Sequence, residues 1–273
     1  MHVTSLHLHP VKSLRGLSVE AASVDDLGIV GDRRFLVVDP EGTFLTQRGI
    51  PRMALVGAFL EGESLILRSD GFGEVRVRRN PDPGARLAVV RLWKSEGLRT
   101  EDCGDEAAGW LSSVLQTPCR LVRIGPAYQR PVSATYAKPG DSVAFADAFP
   151  FMVVSEASLA DLNRRMAETG GPALPMNRFR PNIVINGCEP HGEDLLKRFR
   201  IGTIVFRAAK PCLRCIITTT DQLTGERGKE PLRTLAEYRR APEEPSYVMF
   251  GYNLVNETKA GEFRVGDPVE ILD

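Results

Sequence analysis

Arg34-Phe35-Leu36-Val37-Val38-Asp39 is a short apolar run, closed by Pro40-Glu41-Gly42 ahead of Thr43-Phe44-Leu45-Thr46. Two such runs around a Pro/Gly turn make a hairpin signal. The same texture continues outward on both sides. Upstream, Val3 to Pro10 alternates with period two. Downstream, Leu55 to Leu60, Ser64 to Leu67 and Glu74 to Arg78 follow, with Gly or acidic turn residues between them. Short strands at regular spacing predict a barrel or sandwich in the first third of the chain.

After Asn80-Pro81-Asp82-Pro83-Gly84 and two further strand-like runs, Ala107, Trp110, Leu111, Val114 and Leu115 share one helical face, with Pro118 closing the helix. Residues 125–142 read as a loop joining two halves. In the second half, Ser158 with Asp161 suggests a capping box ahead of Leu159, Leu162 and Met166, and Gly170-Gly171 suggests a stop. Asn182 to Asn186 reads as a buried strand, as does Gly202 to Phe206. The β-branched run Cys215 to Thr220 predicts another strand, and Pro231 opens a short helix through Tyr238. Val265 to Leu272 is a terminal hairpin or strand. The expected class is mixed and β-rich, α+β.

The chain has 273 residues with 35 Lys+Arg against 35 Asp+Glu. This length suffices for a full core without disulfide staples. The balanced charge argues against a nucleic-acid binder, which shows a basic excess. No apolar run approaches the length of a membrane span, and the start lacks a basic n-region and an apolar h-region, so the expected location is cytoplasmic. Five cysteines, at 103, 119, 188, 212 and 215, do not suggest a disulfide framework.

Lys210-Pro211-Cys212-Leu213-Arg214-Cys215 is the most informative segment. A zinc site would need two more ligands, with Cys188 and His191 as candidates. A dithiol redox pair would place the first Cys at a helix start, where its pKa falls. A third reading is a single thiolate, ligand or nucleophile, stabilised beside Arg214. Two packed cysteines in a barrel is the bland alternative. Lys12, Arg33, Arg34, Arg178 and Arg180 are isolated cations abutting apolar runs. Singly each reads as a surface charge; together they could converge on one anionic ligand, for which Arg forks are suited. Gly225-x-x-Gly228-Lys229 lacks the Walker spacing and reads as a turn.

Taken in order, Pro10-Val11-Lys12-Ser13, Asp32-Arg33-Arg34-Phe35, Thr46-Gln47-Arg48, Ser155 to Asn163, Phe179-Arg180-Pro181-Asn182, Cys212-x-Arg214-Cys215 and Lys229-Glu230-Pro231-Leu232 form a specific series. On these residues the sequence resembles the MOSC (molybdenum cofactor sulfurase C-terminal) proteins that carry an N-terminal β-barrel region. These include the mitochondrial amidoxime-reducing components and their bacterial relatives. The resemblance implies a MOSC β-barrel made of residues 1–34 with 123–273, and an inserted N-terminal region of residues 35–122. It implies a molybdenum cofactor, molybdopterin with Mo, whose metal takes one protein thiolate. That metal and catalytic position matches Cys215, and cofactor contacts carry over to Lys12, Ser13, Arg34, Arg180, Asn182 and Arg214. A soft thiolate and a set of cations suit such an anionic group.

Two positions depart from the relatives. Ala148-Phe149 stands where they place Thr-Ser, leaving only main-chain contacts there, and Leu213 replaces a Ser. The implied activity is reduction of N-hydroxylated small molecules by oxygen-atom transfer, with a separate electron donor, ferredoxin- or cytochrome b5-like with a reductase. The alternative the resemblance leaves open is a sulfur carrier that uses a Cys215 persulfide in cofactor maturation.

Overall fold

The computed structural model describes residues 1–273 and holds eighteen strands and three α-helices. The first half carries β1 (His2–Leu8), β2 (Leu17–Val19), β3 (Ala21–Asp25), β4 (Gly28–Ile29), β5 (Phe35–Val38), β6 (Gly57–Glu61), β7 (Ser64–Ser69) and β8 (Gly73–Arg78). Next come β9 (Leu87–Leu92), β10 (Ser95–Asp102), helix α1 (Asp105–Leu115) and β11 (Arg120–Ile124). The second half holds β12 (Phe151–Ser155), α2 (Glu156–Glu168), β13 (Ile183–Asn186), β14 (Arg198–Ile201) and β15 (Ile204–Arg214). It closes with α3 (Leu232–Tyr238), β16 (Val248–Asn256), β17 (Gly261–Arg264) and β18 (Val269–Ile271). The fold is β-rich α+β, and no helix is long and apolar enough to cross a membrane.

The largest sheet has the order β18-β14-β15-β16-β12-β13-β1-β2. All its pairs are antiparallel except β12 with β13, where Val153 faces Ile183. A parallel pair needs a long crossover, and the segment containing α2 supplies it. Both faces of β12 are covered, as its unbroken apolar run requires. Phe151 and Val153 pack into one core with Leu6, Ile183, Phe206 and Leu254, while Met152 and Val154 face a second with Leu162, Phe179 and Phe250. The period-two alternation of one strand thus joins two cores.

Three smaller sheets, β5-β11-β10-β9, β17-β3-β4 and β6-β7-β8, complete the fold. Strands from the first 30 residues pair with the C-terminal half: Leu6 of β1 faces Ile183, and Ala22 of β3 faces Phe263 of β17. The strands of residues 35–124 pair among themselves, with Leu36 opposite Val122 and Thr100 opposite Ile124. A division after residue 122 falls within β11 (Arg120–Ile124).

Several local expectations change. The run after Cys215 is not a strand: β15 ends at Arg214, and Ile216–Thr219 forms a 3₁₀ turn. The hydroxyls of Thr218 and Thr219 donate to the carbonyls of Cys215 and Ile216 at 2.9 and 2.8 Å. Such local side-chain bonds compete with sheet pairing and override β-propensity. The strand expected over Gly202 to Phe206 runs on to Arg214. Helix α2 begins earlier than the Ser158/Asp161 pattern suggested, because Ser155 is the N-cap and its Oγ accepts from the Ser158 amide at 3.0 Å. Asp161 instead pairs with Arg164 and Arg165. Pro51–Leu55 is a 3₁₀ turn, so the strand expected from Leu55 starts at Gly57. Helix α1 buries Ala107, Leu111, Val114 and Leu115 as its spacing required.

Candidate functional site

Directly after β1 the chain turns through Lys12 and Ser13. The Lys12 amide donates to the Phe35 carbonyl at 2.9 Å, and Ser13 adopts φ 67°. Arg33 and Arg180 also sit at positive φ, 49° and 55°. Non-glycine residues pay for this conformation with roughly 1 kcal/mol or more each, and they persist where the surroundings hold them. All three lie in segments singled out from sequence.

Arg33 binds outward from its turn in three directions. It pairs with the buried Asp32 carboxylate, and donates to Asn182 Oδ1 and the Arg180 carbonyl, both at 3.2 Å. Asp32 Oδ1 also accepts from the His9 amide at 2.7 Å. Burial disfavours the Asp32 charge, but Arg33 and His9 outweigh it and hold the carboxyl well below its usual range. Burial, then the Arg180 and Arg33 charges, push His9 well down, so its imidazole is neutral. Asn182 is buried and fully engaged: Oδ1 also accepts from the Met152 amide at 3.3 Å, and Nδ2 donates to the His7 carbonyl at 3.3 Å.

Lys12 is buried, and its ammonium pairs with Asp147. Burial pushes Lys12 down to about 8 despite Asp147, and the nearby Arg130 and Arg33 push the same way. Asp147 has 55% of its side chain accessible. Enclosure by protein penalises its charge, and Lys12 and Arg48 more than offset that, holding it far below the usual carboxylate range. Its main chain is fixed by Arg130, whose guanidinium donates to the carbonyls of Ala144, Ala146 and Asp147 at 2.8, 2.6 and 2.7 Å.

The Arg180 guanidinium makes no hydrogen bond or ion pair of its own. Burial and then Arg33 push it down to about 9. It borders a polar cavity of about 190 Å³ shared with His9, Arg15, Asn177 and Gln222. Gln47 and Gln222 form a buried amide pair at 3.1–3.2 Å, and Gln47 Nε2 donates to the Ser13 carbonyl at 2.8 Å. Arg214, at the end of β15, donates to Met152 Sδ and Cys212 Sγ, each at 2.8 Å, while its buried Nε has no partner. Cys215 follows as the N-cap of the 3₁₀ turn, half-buried. Its thiol makes no hydrogen bond.

Six cations, Lys12, Arg33, Arg48, Arg130, Arg180 and Arg214, thus face two carboxylates, Asp32 and Asp147, through shared contacts or mutual charge effects. That local excess sits inside a chain of zero net charge. It suits an anionic group, and the free thiol of Cys215 is a soft donor of the kind a molybdenum centre takes. No group of three or more His, Cys, Asp or Glu side chains assembles in metal-holding geometry, so Cys188 and His191 do not complete a zinc site with the pair. A dithiol helix start is also absent, since Cys212 lies within β15.

The sequence-predicted residues do not all meet here. Arg34 donates to Asp25 Oδ1 and the Ile29 carbonyl at 2.6 and 3.1 Å, its buried Nε is unpartnered, and no bond ties it to Lys12, Arg33 or Arg180. Its neighbour Arg33 occupies the cluster instead. Arg178 pairs with Asp221. Sequence reading missed Asp147, Arg130 and Gln47 as site-building residues. The Thr46-Gln47-Arg48 run carried a signal for Gln47; Arg130 and Asp147 lie around the linking loop, where nothing local marked them.

The MOSC N-terminal beta barrel domain matches residues 1–118, and the MOSC domain matches residues 140–270. Mitochondrial amidoxime-reducing component 1 of Mus musculus is 37% identical over 285 residues, spanning 99% of this chain and 82% of the relative. The chain belongs to the MOSC family. The bovine mitochondrial amidoxime reducing component 2 is 38% identical over 282 residues, covering 98% of the MOSC chain and 82% of its own length. The human component 1 is 36% identical over 287 residues, with 99% and 82% covered. The match spans both the inserted region and the large sheet of this MOSC protein.

Proposed function

We propose that this MOSC protein is a molybdenum-cofactor-dependent reductase of N-hydroxylated compounds, acting by oxygen-atom transfer. The observations that carry the reading are the unengaged Cys215 thiol, directly after Arg214 in the chain, and a cluster with four more cations than carboxylates (six against two) to which Arg214 belongs. The named activity of relatives covering nearly the whole chain supports the substrate class.

In this reading the Cys215 thiolate holds the metal, and Lys12, Ser13, Arg180 and Arg214 hold the pterin and its phosphate. Arg33 takes the role expected of Arg34, and Asn182 fixes Arg33. Bound there, the cofactor supplies the two-electron chemistry of oxygen-atom transfer. The chain supplies a preorganised positive field, and none of these cations must be gathered from solvent when the anion arrives. Lys12, at about 8, keeps its proton on Nζ at neutral pH and presents an ammonium. Arg130 and Gln47 hold the two loops that carry Asp147 and Ser13. Electrons arrive from a separate ferredoxin- or cytochrome b5-like donor with its reductase.

The test is elemental analysis and N-hydroxybenzamidine turnover on protein from a host that makes the cofactor. Cys215→Ser should keep the fold, because the thiol makes no hydrogen bond, yet lose both molybdenum and activity. Full molybdenum occupancy and activity in that variant would sink the assignment. Cyanide-labile sulfur on Cys215 without molybdenum would replace it with the sulfur-carrier reading.

A further inference from the structure

Strands β9 and β10 are joined through Trp93 and Lys94, and Trp93 adopts φ 55°. A turn in this conformation favours Gly or Asn, not a bulky aromatic. The indole is not there for a core either, since 42% of the residue is exposed. Three residues from two other segments nevertheless hold it. The Phe44 ring meets it edge-on at 4.7 Å between centroids, the Arg48 guanidinium lies 4.6 Å from its ring centre, and its Nε1 donates to Asp147 Oδ1 at 3.2 Å. A strained, exposed aromatic fixed from several directions marks a surface kept for contact.

Its present occupant is informative. The Arg48 guanidinium lies against the indole and donates through Nη2 to Asp147 Oδ2 at 3.3 Å. That single long bond and a buried, unpartnered Nη1 make it a weakly held group. Asp147 Oδ1 is already shared by Lys12 and Trp93, so Oδ2 is the oxygen presented to a newcomer. A guanidinium and an amidine share a planar, delocalised carbon–nitrogen frame with in-plane N–H donors. The ring face and the carboxylate oxygen that hold Arg48 therefore match an amidine-type group equally well.

We propose that Trp93 and Asp147 form the recognition subsite for the planar amidine-type group of the substrate, with Arg48 as its displaceable occupant. The inference rests on the reductase reading and narrows it: the subsite selects flat, delocalised N-hydroxyamidines over N-hydroxylated amines with a tetrahedral centre. Because reduction yields an amidine that is cationic at neutral pH, the same carboxylate also retains product, and the amidine competes with substrate.

Calorimetric titration with benzamidine and its uncharged isostere benzamide tests this on the cofactor-loaded protein. Benzamidine should bind at least about tenfold tighter than benzamide. Arg48→Ala should bind benzamidine several-fold tighter than the parent, because the competitor is gone. Trp93→Gly, which removes the indole while suiting the turn, should weaken it about tenfold and raise KM for N-hydroxybenzamidine with little change in kcat. Trp93→Phe, which keeps a ring but loses the N–H, should fall between. Unchanged or weaker binding in Arg48→Ala, equal binding of benzamide, or no benzamidine binding at all overturns the subsite. If no N-hydroxylated compound is turned over, the reductase reading fails on its own, and the titrations still judge the subsite.

Discussion

Lys12→Met should make the cofactor-free protein more stable and unable to retain its cofactor. Lys12 is buried and falls from the usual 10.5 to about 8. At about 1.4 kcal/mol per pH unit, keeping the ammonium charged inside the fold costs on the order of 3 kcal/mol at neutral pH. Methionine fills similar space without a charge, and Asp147 keeps Arg48 and Trp93 as partners. A gain of about 2 kcal/mol is therefore expected at pH 7, or roughly 4–8 °C in Tm.

The pH dependence gives the sign. Between about pH 8 and 10.5 the unfolded chain holds the Lys12 proton more firmly than the folded one does, so wild-type stability gains from Lys12 as pH rises through that window. The advantage of Lys12→Met should accordingly shrink from pH 8 to pH 10.5. Taking the difference between the two proteins removes the opposing contribution of Tyr128 and Cys103, which burial pushes up to about 12. The assay is urea unfolding of cofactor-free protein across this range, beside molybdenum content of protein made with cofactor. A loss of more than about 1 kcal/mol at pH 7, or a difference that grows with pH, would refute the reasoning. Gain of stability with loss of ligand is the trade expected where a binding site stores repulsion.

Two further substitutions probe the frame around the site. Asp32→Asn keeps an acceptor for the His9 amide but leaves Arg33 without its buried counter-charge, so a loss of about 3 kcal/mol is expected at pH 7. Because the folded carboxyl is held below its unfolded value of about 3.9, that penalty should be full above about pH 5 and shrink as pH falls below 4; a pH-independent penalty would be the contrary result. Gly251 of β16 sits at φ 74°, and a Cβ there would meet the Val153 carbonyl oxygen and Val154 Cγ2, each at 2.7 Å. Gly251→Ala should cost about 3 kcal/mol in urea unfolding, from strain and overpacking together, and a change under about 0.5 kcal/mol would contradict the packing described.

Loading the site has a structural consequence for the free protein. Its cations repel one another, and the one accessible carboxylate among them, Asp147, is shared by Lys12, Arg48 and Trp93. An incoming anion relieves that repulsion, so binding should raise the Lys12 pKa and stabilise the fold together.

What the sequence determined alone was whatever rests on local physics. The spacing of Ala107, Leu111, Val114 and Leu115 gives α1, and the unbroken apolar run at Ile183 gives one buried central strand. The Cys212-x-Arg214-Cys215 pattern and the isolated cations marked the candidate site, because a thiol or a charge beside an apolar run is visible residue by residue. The tertiary structure decided which of those charges meet. Arg33 and Arg34 are neighbours in sequence, yet a turn at φ 49° sends one to Asn182 and the other to Asp25. Lys12 and Asp147 lie 135 positions apart and pair only because the chain closes over the site. Thr218 and Thr219 bond back to their own carbonyls and end the strand that their β-branching favoured. Period and propensity act within a few residues, whereas the charge balance of a pocket depends on contacts between distant segments.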